Sequence, residues 1–282
     1  MPELIISKLI FMNNNITEKT TPESNQITNI LVLGATGGVG QIVVAKLITQ
    51  NYQVIAIVRN MEKAQKLFGN SANIKILPGD VREKKPLEKS LANQQIDAAI
   101  SCVGTTAFPS TRWWGGNTPE NIDYLGNQNL INVMPNNLKR FILVSSVGVE
   151  HPEEFPYKIL NLFRVLDYKF KAENILKSSS LPYTIIRPGR LTDGPYTSYD
   201  LNTLIKATSG NRKKIVVGQG DKLLGETSRI IVAEACVEAL KLDCTINQTF
   251  EIINQVGKNE ISDDDKSLFW QTLLTKAQEN NS

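Results

Sequence analysis

Short apolar runs recur along this chain, each bounded by polar or turn-forming residues, and the intervals between them carry a helical period. Runs at 29–33, 53–58, 74–77, 98–102, 141–144, 183–187 and 250–253 have the length and composition of buried strands. Val39, Ile42, Val43 and Leu47 fall at i, i+3, i+4 and i+8, the stripe of a helix lying on a sheet. Segments 120–134 and 166–177 repeat that period. Strands separated by helices require crossover connections, and these are right-handed. The pattern therefore predicts an α/β protein built on one doubly wound parallel sheet. Ligands of such sheets sit at the carboxyl ends of the strands, near the switch point beside the first strand.

The first run ends in a glycine turn. Residues 30–40 read Ile-Leu-Val-Leu-Gly-Ala-Thr-Gly-Gly-Val-Gly, with Gly34, Gly37 and Gly40 at three-residue steps. A turn this tight needs residues free to take positive φ, and a side chain at Gly34 or Gly37 would block close approach of a ligand. The N–H groups at the start of the following helix face a space suited to a pyrophosphate. A lone glycine triplet would be an ordinary turn, but strand, triplet and helix in this order point to a dinucleotide. Gly34, Thr36, Gly37, Gly38, Val39 and Gly40 are thus candidate cofactor-binding residues of a Rossmann-type domain.

The other strand ends carry the remaining candidates. After the second strand stands Arg59, with Lys63 one turn on, where a carboxylate would hold the ribose hydroxyls of NAD. A cation suits a 2′-phosphate, so NADP(H) is expected over NAD(H); the alternative is a solvated arginine. Asp80 and Val81 end the third strand, where the aspartate can accept from the adenine amine. Cys102, Val103 and Gly104 end the fourth, where the glycine lets backbone pass under the cofactor. Ser145 and Ser146 end the fifth, beside the expected nicotinamide, where they polarise an acceptor or simply close the strand. Arg112, Trp113 and Trp114 follow the fourth strand and either stack on a ligand or cover the core.

Composition narrows the class. With 282 residues, 41% hydrophobic and 21% charged, the chain suits one large soluble domain with tails. A net charge of +3 without an aromatic-interleaved basic stripe gives no case for nucleic acid. Cys102, Cys236 and Cys244 lack metal-ligand spacing, so no metal site is expected; buried thiols in a reducing, cytoplasmic compartment are. The apolar stretch 4–12 is too short to span a bilayer. Residues 1–28 read as a disordered tail, 29–257 as the dinucleotide-binding domain and 258–282 as a tail with a short helix capped by Asp264 or Asp265. His151, the single histidine, has no partner at catalytic spacing and reads as a surface residue. Arg212, Lys213 and Lys214 read as a solvated turn.

The glycine turn, Gly79-Asp80-Val81, Ser145-Ser146-Val147-Gly148 and Tyr183-Thr-Ile-Ile-Arg-Pro-Gly189 together resemble the atypical short-chain dehydrogenase/reductases, the NmrA-like NAD(P)-binding group. The resemblance runs from about 29 to 254 and extends the cofactor contacts to Lys169 and Pro188, with 191–229 as the pocket or lid segment. Segments 104–113, 117–120 and 225–229 resemble a cyanobacterial and plastid branch, some members of which help build or maintain the photosynthetic apparatus. That resemblance implies a protein partner and peripheral contact with photosynthetic membranes as alternatives to a cytoplasmic enzyme. Catalytic members carry Tyr-x-x-x-Lys, whose tyrosine donates a proton as hydride arrives. Lys169-Phe-Lys-Ala-Glu173 aligns Lys169 with the catalytic lysine, and the tyrosine position is then Val165, which cannot move a proton. Lys169, Ser145 and Ser146 remain the candidate catalytic residues; Tyr124 and Tyr157 are the tyrosines that could reach in from elsewhere. Two readings follow: a weak or specialised NADP(H)-dependent oxidoreductase, or a non-catalytic NADP-binding factor acting through a protein partner.

Overall fold

The computed structural model describes residues 26–69, 71–192, 214–257, 259 and 265–279. Most of the expected N-terminal tail, residues 193–213 of the expected pocket segment, Arg212, Lys213 and Asp264 lie outside the described residues. The strands are β1 (Asn29–Leu33), β2 (Gln53–Val58), β3 (Ile74–Pro78), β4 (Ala98–Ser101), β5 (Arg140–Val144), β6 (Tyr183–Pro188), β7 (Arg190–Leu191), β8 (Lys214–Gly218), β9 (Glu226–Thr227) and β10 (Gln248–Gln255). The sheet runs β3-β2-β1-β4-β5-β6-β10, parallel throughout, with β8 and β9 antiparallel on β10. The order reverses between β1 and β4, and the crevice beyond their carboxyl ends is the switch point.

The strand residues alternate between two cores. Ile30 and Val32 face α1 (Gly40–Thr49), Leu31 and Leu33 face the opposite layer, and all four are fully buried. A strand buried on both faces reads as a continuous apolar run, which is why β1, β2 and β4 stand out in the sequence. Helices α2 (Met61–Phe68), α3 (Lys84–Leu91), α4 (Asn127–Val133), α5 (Tyr157–Leu160), α6 (Val165–Ser178), α7 (Arg229–Ala239) and α8 (Lys266–Glu279) complete the layers. Among the described residues no helix is long and apolar enough to cross a membrane.

Two differences from the expectation bear on the crevice. Segment 120–134 is not one α-helix: Glu120–Gly126 is π-helical and only then does α4 begin. A Cβ on Gly126 would lie 2.8 Å from Val81 Cγ2, so the glycine permits this segment to pack closely under the β3 end. The expected fourth strand stops at Ser101 rather than Cys102, although Cys102 N–H still donates to the Leu33 carbonyl at 3.0 Å. The C-terminal helix, α8, packs into the core: Phe269 and Trp270 are fully buried. Trp270 Nε1 donates to Glu234 Oε1 at 3.1 Å, and Glu234 Oε2 takes Lys46 Nζ at 2.9 Å, which joins α8, α7 and α1. Asp265 Oδ1 accepts from Leu268 N at 3.1 Å, so of the two candidate caps it is Asp265 that caps the helix.

Candidate functional site

The β1–α1 turn is built for close approach of backbone. Gly34 has φ +72°, and a Cβ there would stand 2.7 Å from the Cys102 carbonyl group. Gly37 N–H donates to Gly34 O at 2.8 Å and closes the turn, while a Cβ on Gly40 would fall 2.1 Å from the same oxygen. Of the three spaced glycines only Gly34 therefore needs positive φ; Gly40 is required by the contact between helix and turn. No side chain caps α1 and no acidic residue stands in its first turn, which leaves a positive helix end facing the crevice.

That crevice is a cavity of about 480 Å³. Gly34 to Gly38 form its floor, and Arg59, Lys63 and Arg112 stand in its wall with Val81, Gly104 and Asn117. Among the described residues no carboxylate lines it. Arg59 Nη1 donates to Asn117 Oδ1, and Lys63 Nζ donates to Thr36 O at 3.1 Å. The Lys63 ammonium is held below the usual lysine range, first by burial and then by the Arg112 charge. Asp80 is not in the cavity wall, because its carboxylate is taken by Arg82, with Nη2 to Oδ2 at 2.6 Å. Burial raises the Asp80 carboxyl, but the hydrogen bonds and charge of Arg82, with the charge of Arg59, outweigh it and hold the group below its ordinary range.

A second cavity of about 730 Å³ continues from the first past Gly37, Gly38 and the 102–105 backbone. Ser145, Ser146, Lys169 and Pro188 line its inner part, and Tyr157, Ile159, Val165 and Leu224 give it an apolar side. Ser145 Oγ is buried without a hydrogen-bond partner among the described residues, whereas Ser146 Oγ donates to Val147 O at 3.0 Å. An orphaned hydroxyl facing a cavity fits a missing polar ligand better than a strand end. Lys169 Nζ is 2.7 Å from Asp123 Oδ1, and Asp123 is fully buried in the π-helical segment. Asp123 also accepts Thr105 N–H at 3.1 Å and Thr105 Oγ1–H at 2.5 Å. The buried carboxylate thus anchors the lysine at the junction of the two cavities.

Among the described residues, the position one turn before Lys169 carries no acid, and Tyr157 is the one tyrosine in this wall. Val165, one turn before Lys169, is buried among Val147, Val149, Tyr157 and Leu166. The Tyr157 ring packs under Gly148, and its O–H donates to Leu223 O at 3.3 Å. Burial raises the Tyr157 phenol, and the charges of Asp221, Glu251 and Glu154 raise it further. A phenol so placed is a weaker acid than a free tyrosine. Tyr124 stacks on Tyr168 at 6.3 Å and lies outside both cavities. The Cys102 thiol, pushed up to about 12 by burial, is an inert part of the wall.

Most candidate residues thus meet at one crevice: Gly34, Thr36, Gly37, Gly38, Arg59, Val81, Cys102, Val103 and Gly104 at the smaller cavity, Val39, Ser145, Ser146, Lys169 and Pro188 at the larger. Asp80 does not join them, and Gly40 packs behind the turn. His151 is half-exposed beside Glu154, 3.5 Å away. Sequence reading missed Asp123 and Asn117 and left Arg112 undecided. The apolar period of 120–134 marked a helix but not the face on which Asp123 would be buried. The uncapped helix end, the glycine floor and the orphaned Ser145 hydroxyl fit a dinucleotide lying across both cavities.

Residues 34–243 match the family model described as NAD(P)H-binding. The chain is 30% identical over 267 residues to an uncharacterised chloroplastic protein of Arabidopsis thaliana, covering 86% of this chain and 74% of that one. It is 28% identical over 288 residues to sanguinarine reductase of Eschscholzia californica, covering 88% and 97%. A solved structure from Bacillus halodurans, ascribed to the NAD-dependent epimerases/dehydratases, superposes with a TM-score of 0.65 at 26% identity, covering 88% of this chain and 99% of that one.

Proposed function

This chain belongs to the NAD(P)H-binding family, and from that premise we propose that it binds NADP(H) in preference to NAD(H) and serves as a specialised reductase. The observation that carries the cofactor choice is the wall of the smaller cavity, where Arg59, Lys63 and Arg112 meet with no carboxylate among the described lining residues. Three positive charges around one small space repel one another, and a phosphate relieves that repulsion. A ribose with two free hydroxyls does not. On this reading the pyrophosphate lies on the α1 end, Ser145 and Lys169 meet the nicotinamide half, and the apolar part of the larger cavity takes the hydride acceptor.

The acceptor reaction is then restricted by what the wall lacks. Among the described residues Val165 supplies no proton and the Tyr157 O–H is bonded to Leu223 O, so simple aldehydes and ketones are poor acceptors. A relative named for reducing sanguinarine supports the reductase reading. A second reading is favoured by the exposed apolar side chains near the larger cavity, with Phe155 at 80%, Leu162 at 66% and Leu224 at 62% exposure. Here the cofactor-loaded protein is a binding factor whose apolar rim meets a protein partner.

The cofactor reading is tested by Arg59→Ala. Calorimetry should show NADPH affinity falling by about 10- to 100-fold, the loss of one or two charge-assisted hydrogen bonds, with NADH affinity nearly unchanged. An equal loss for both cofactors would mean that Arg59 shapes the site without meeting the 2′-phosphate.

A further inference from the structure

We propose that Arg112 is a second-side ligand of the 2′-phosphate, and that through it phosphate binding is coupled to the aromatic cluster beside the larger cavity. The inference rests on the NADP(H) reading and extends it to a loop that the sequence left without a role. Arg112 lies in the 3-10 turn Thr111–Trp113, between β4 and the π-helical segment, and it lines both cavities. Among the described residues its guanidinium has no hydrogen-bond or ion-pair partner. Arg112 and Lys63 both line the smaller cavity, where burial and then the Arg112 charge depress the Lys63 ammonium, so the two cations stand over the same space. Across that space, Arg59 completes the set. A planar guanidinium with free donors beside two further cations is suited to fork onto phosphate oxygens.

The same loop is wired to the neighbouring cavity. Arg59 Nη1 donates to Asn117 Oδ1, Asn117 Nδ2 donates to Trp114 O at 2.6 Å, and Asn117 N donates to Trp113 O at 3.1 Å. The Trp113 indole N–H donates to Thr106 Oγ1 at 3.1 Å, and its ring meets Phe163 edge-on at 5.7 Å. Phe108 packs on the other edge of Phe163 at 6.4 Å. Phe163 in turn stands two residues before Val165, and Val165 lines the larger cavity. A phosphate that draws Arg59 and Arg112 together therefore acts on both ends of one short loop, and the Trp113–Phe163–Phe108 cluster moves or stiffens with it. A nucleotide lacking the 2′-phosphate makes neither contact and leaves the cluster as it is.

Tryptophan emission reads this coupling directly. The chain has three tryptophans, and Trp270 is sealed in the core, so a ligand-dependent change reports on Trp113 and Trp114. NADP⁺ is expected to change the emission of the wild-type protein, and NAD⁺ at saturation is expected to leave it nearly unaltered. Arg112→Gln should weaken NADP⁺ by about tenfold or more in calorimetry, leave NAD⁺ affinity alone and abolish the emission change. Trp113→Phe should remove most of the change while NADP⁺ affinity stays within about twofold. Arg112 is exposed, so the variant should melt as the wild type does, and a circular dichroism melt checks this. Wild-type NADP⁺ affinity retained in Arg112→Gln, or the same emission change with NAD⁺, overturns the proposal while the NADP(H) reading stands. Equal wild-type affinities for NADP⁺ and NAD⁺ overturn both.

Discussion

Gly37→Asp is expected to abolish measurable binding of either nicotinamide dinucleotide while leaving the protein folded. Gly37 closes the β1–α1 turn, and a Cβ at this position meets only Gly34 O, at 3.0 Å. The new side chain therefore has room, given a shift of a few tenths of an ångström. Its carboxylate would lie against the uncapped N-terminus of α1, where negative charge is stabilised by about 0.3–2 kcal/mol. The variant thus carries its own anion at the place where the pyrophosphate is expected. A cofactor would have to displace that carboxylate, meet its repulsion and forgo its own hydrogen bonds to the turn. Two such bonds to a charged group amount to about 3–6 kcal/mol, or roughly 10²–10⁴-fold in affinity. Calorimetry with NADPH and NADH, beside a circular dichroism melt, checks both halves of the expectation. A folded variant that still binds at wild-type affinity would place the pyrophosphate away from the turn.

Val165→Tyr is expected to raise carbonyl reduction by about tenfold or more, up to the roughly 10²–10⁴-fold that a placed general acid supplies. Val165 is the first residue of α6, and Lys169 follows one turn later on the same face. The side chain borders a cavity of about 730 Å³, so a phenol can extend into open space rather than into packed core. The small cluster of Val147, Val149, Tyr157 and Leu166 has to accommodate the ring, at about 1–3 kcal/mol of stability. Lys169 is already held by Asp123 at 2.7 Å, so its ammonium is fixed where it would lower the pKa of the new phenol. Steady-state assays with aldehydes and NADPH measure the effect, and the rate should acquire the pH dependence of a tyrosine acid. No gain, with cofactor affinity intact, would favour the binding-factor reading. Fast wild-type turnover lost in Tyr157→Phe would mean that this phenol serves as the acid despite its bond to Leu223 O.

What could be read from the residues, and what could not, follows from the range of the forces involved. Past their polar first residues, Asn29 and Gln53, β1 and β2 coincide with the apolar runs, because a strand buried on both faces has no polar position to blur its limits. β10 extends past the expected 250–253 on both sides, since pairing with β6, β8 and β9 holds polar residues such as Asn254 in the ladder. The glycine turn was legible because it is local: Gly34, Gly37 and Gly40 act on backbone within a few residues of themselves. The π-helical turn was not, because nothing in its own spacing separates it from an α-helix. It brings Asp123 to Lys169, 46 residues away in the chain, and that pairing is a property of packing. Arg112 was undecided for the same reason, since its meaning depends on Lys63 and Arg59 across the crevice. The place of Trp270 in the core depends likewise on Glu234 and Lys46, which no local pattern links to it.

On the proposed reading, this crevice is made for a dinucleotide bearing a 2′-phosphate. The most direct test of that reading is calorimetric titration of the wild-type protein with NADPH and with NADH in the same low-salt buffer. NADPH should bind at least about tenfold more tightly, and its advantage should shrink as salt screens the cations of the smaller cavity. Equal affinities, or a preference for NADH, would contradict the claim: Arg59, Lys63 and Arg112 would then be a solvated basic edge, and the choice of cofactor would rest on some other part of the chain.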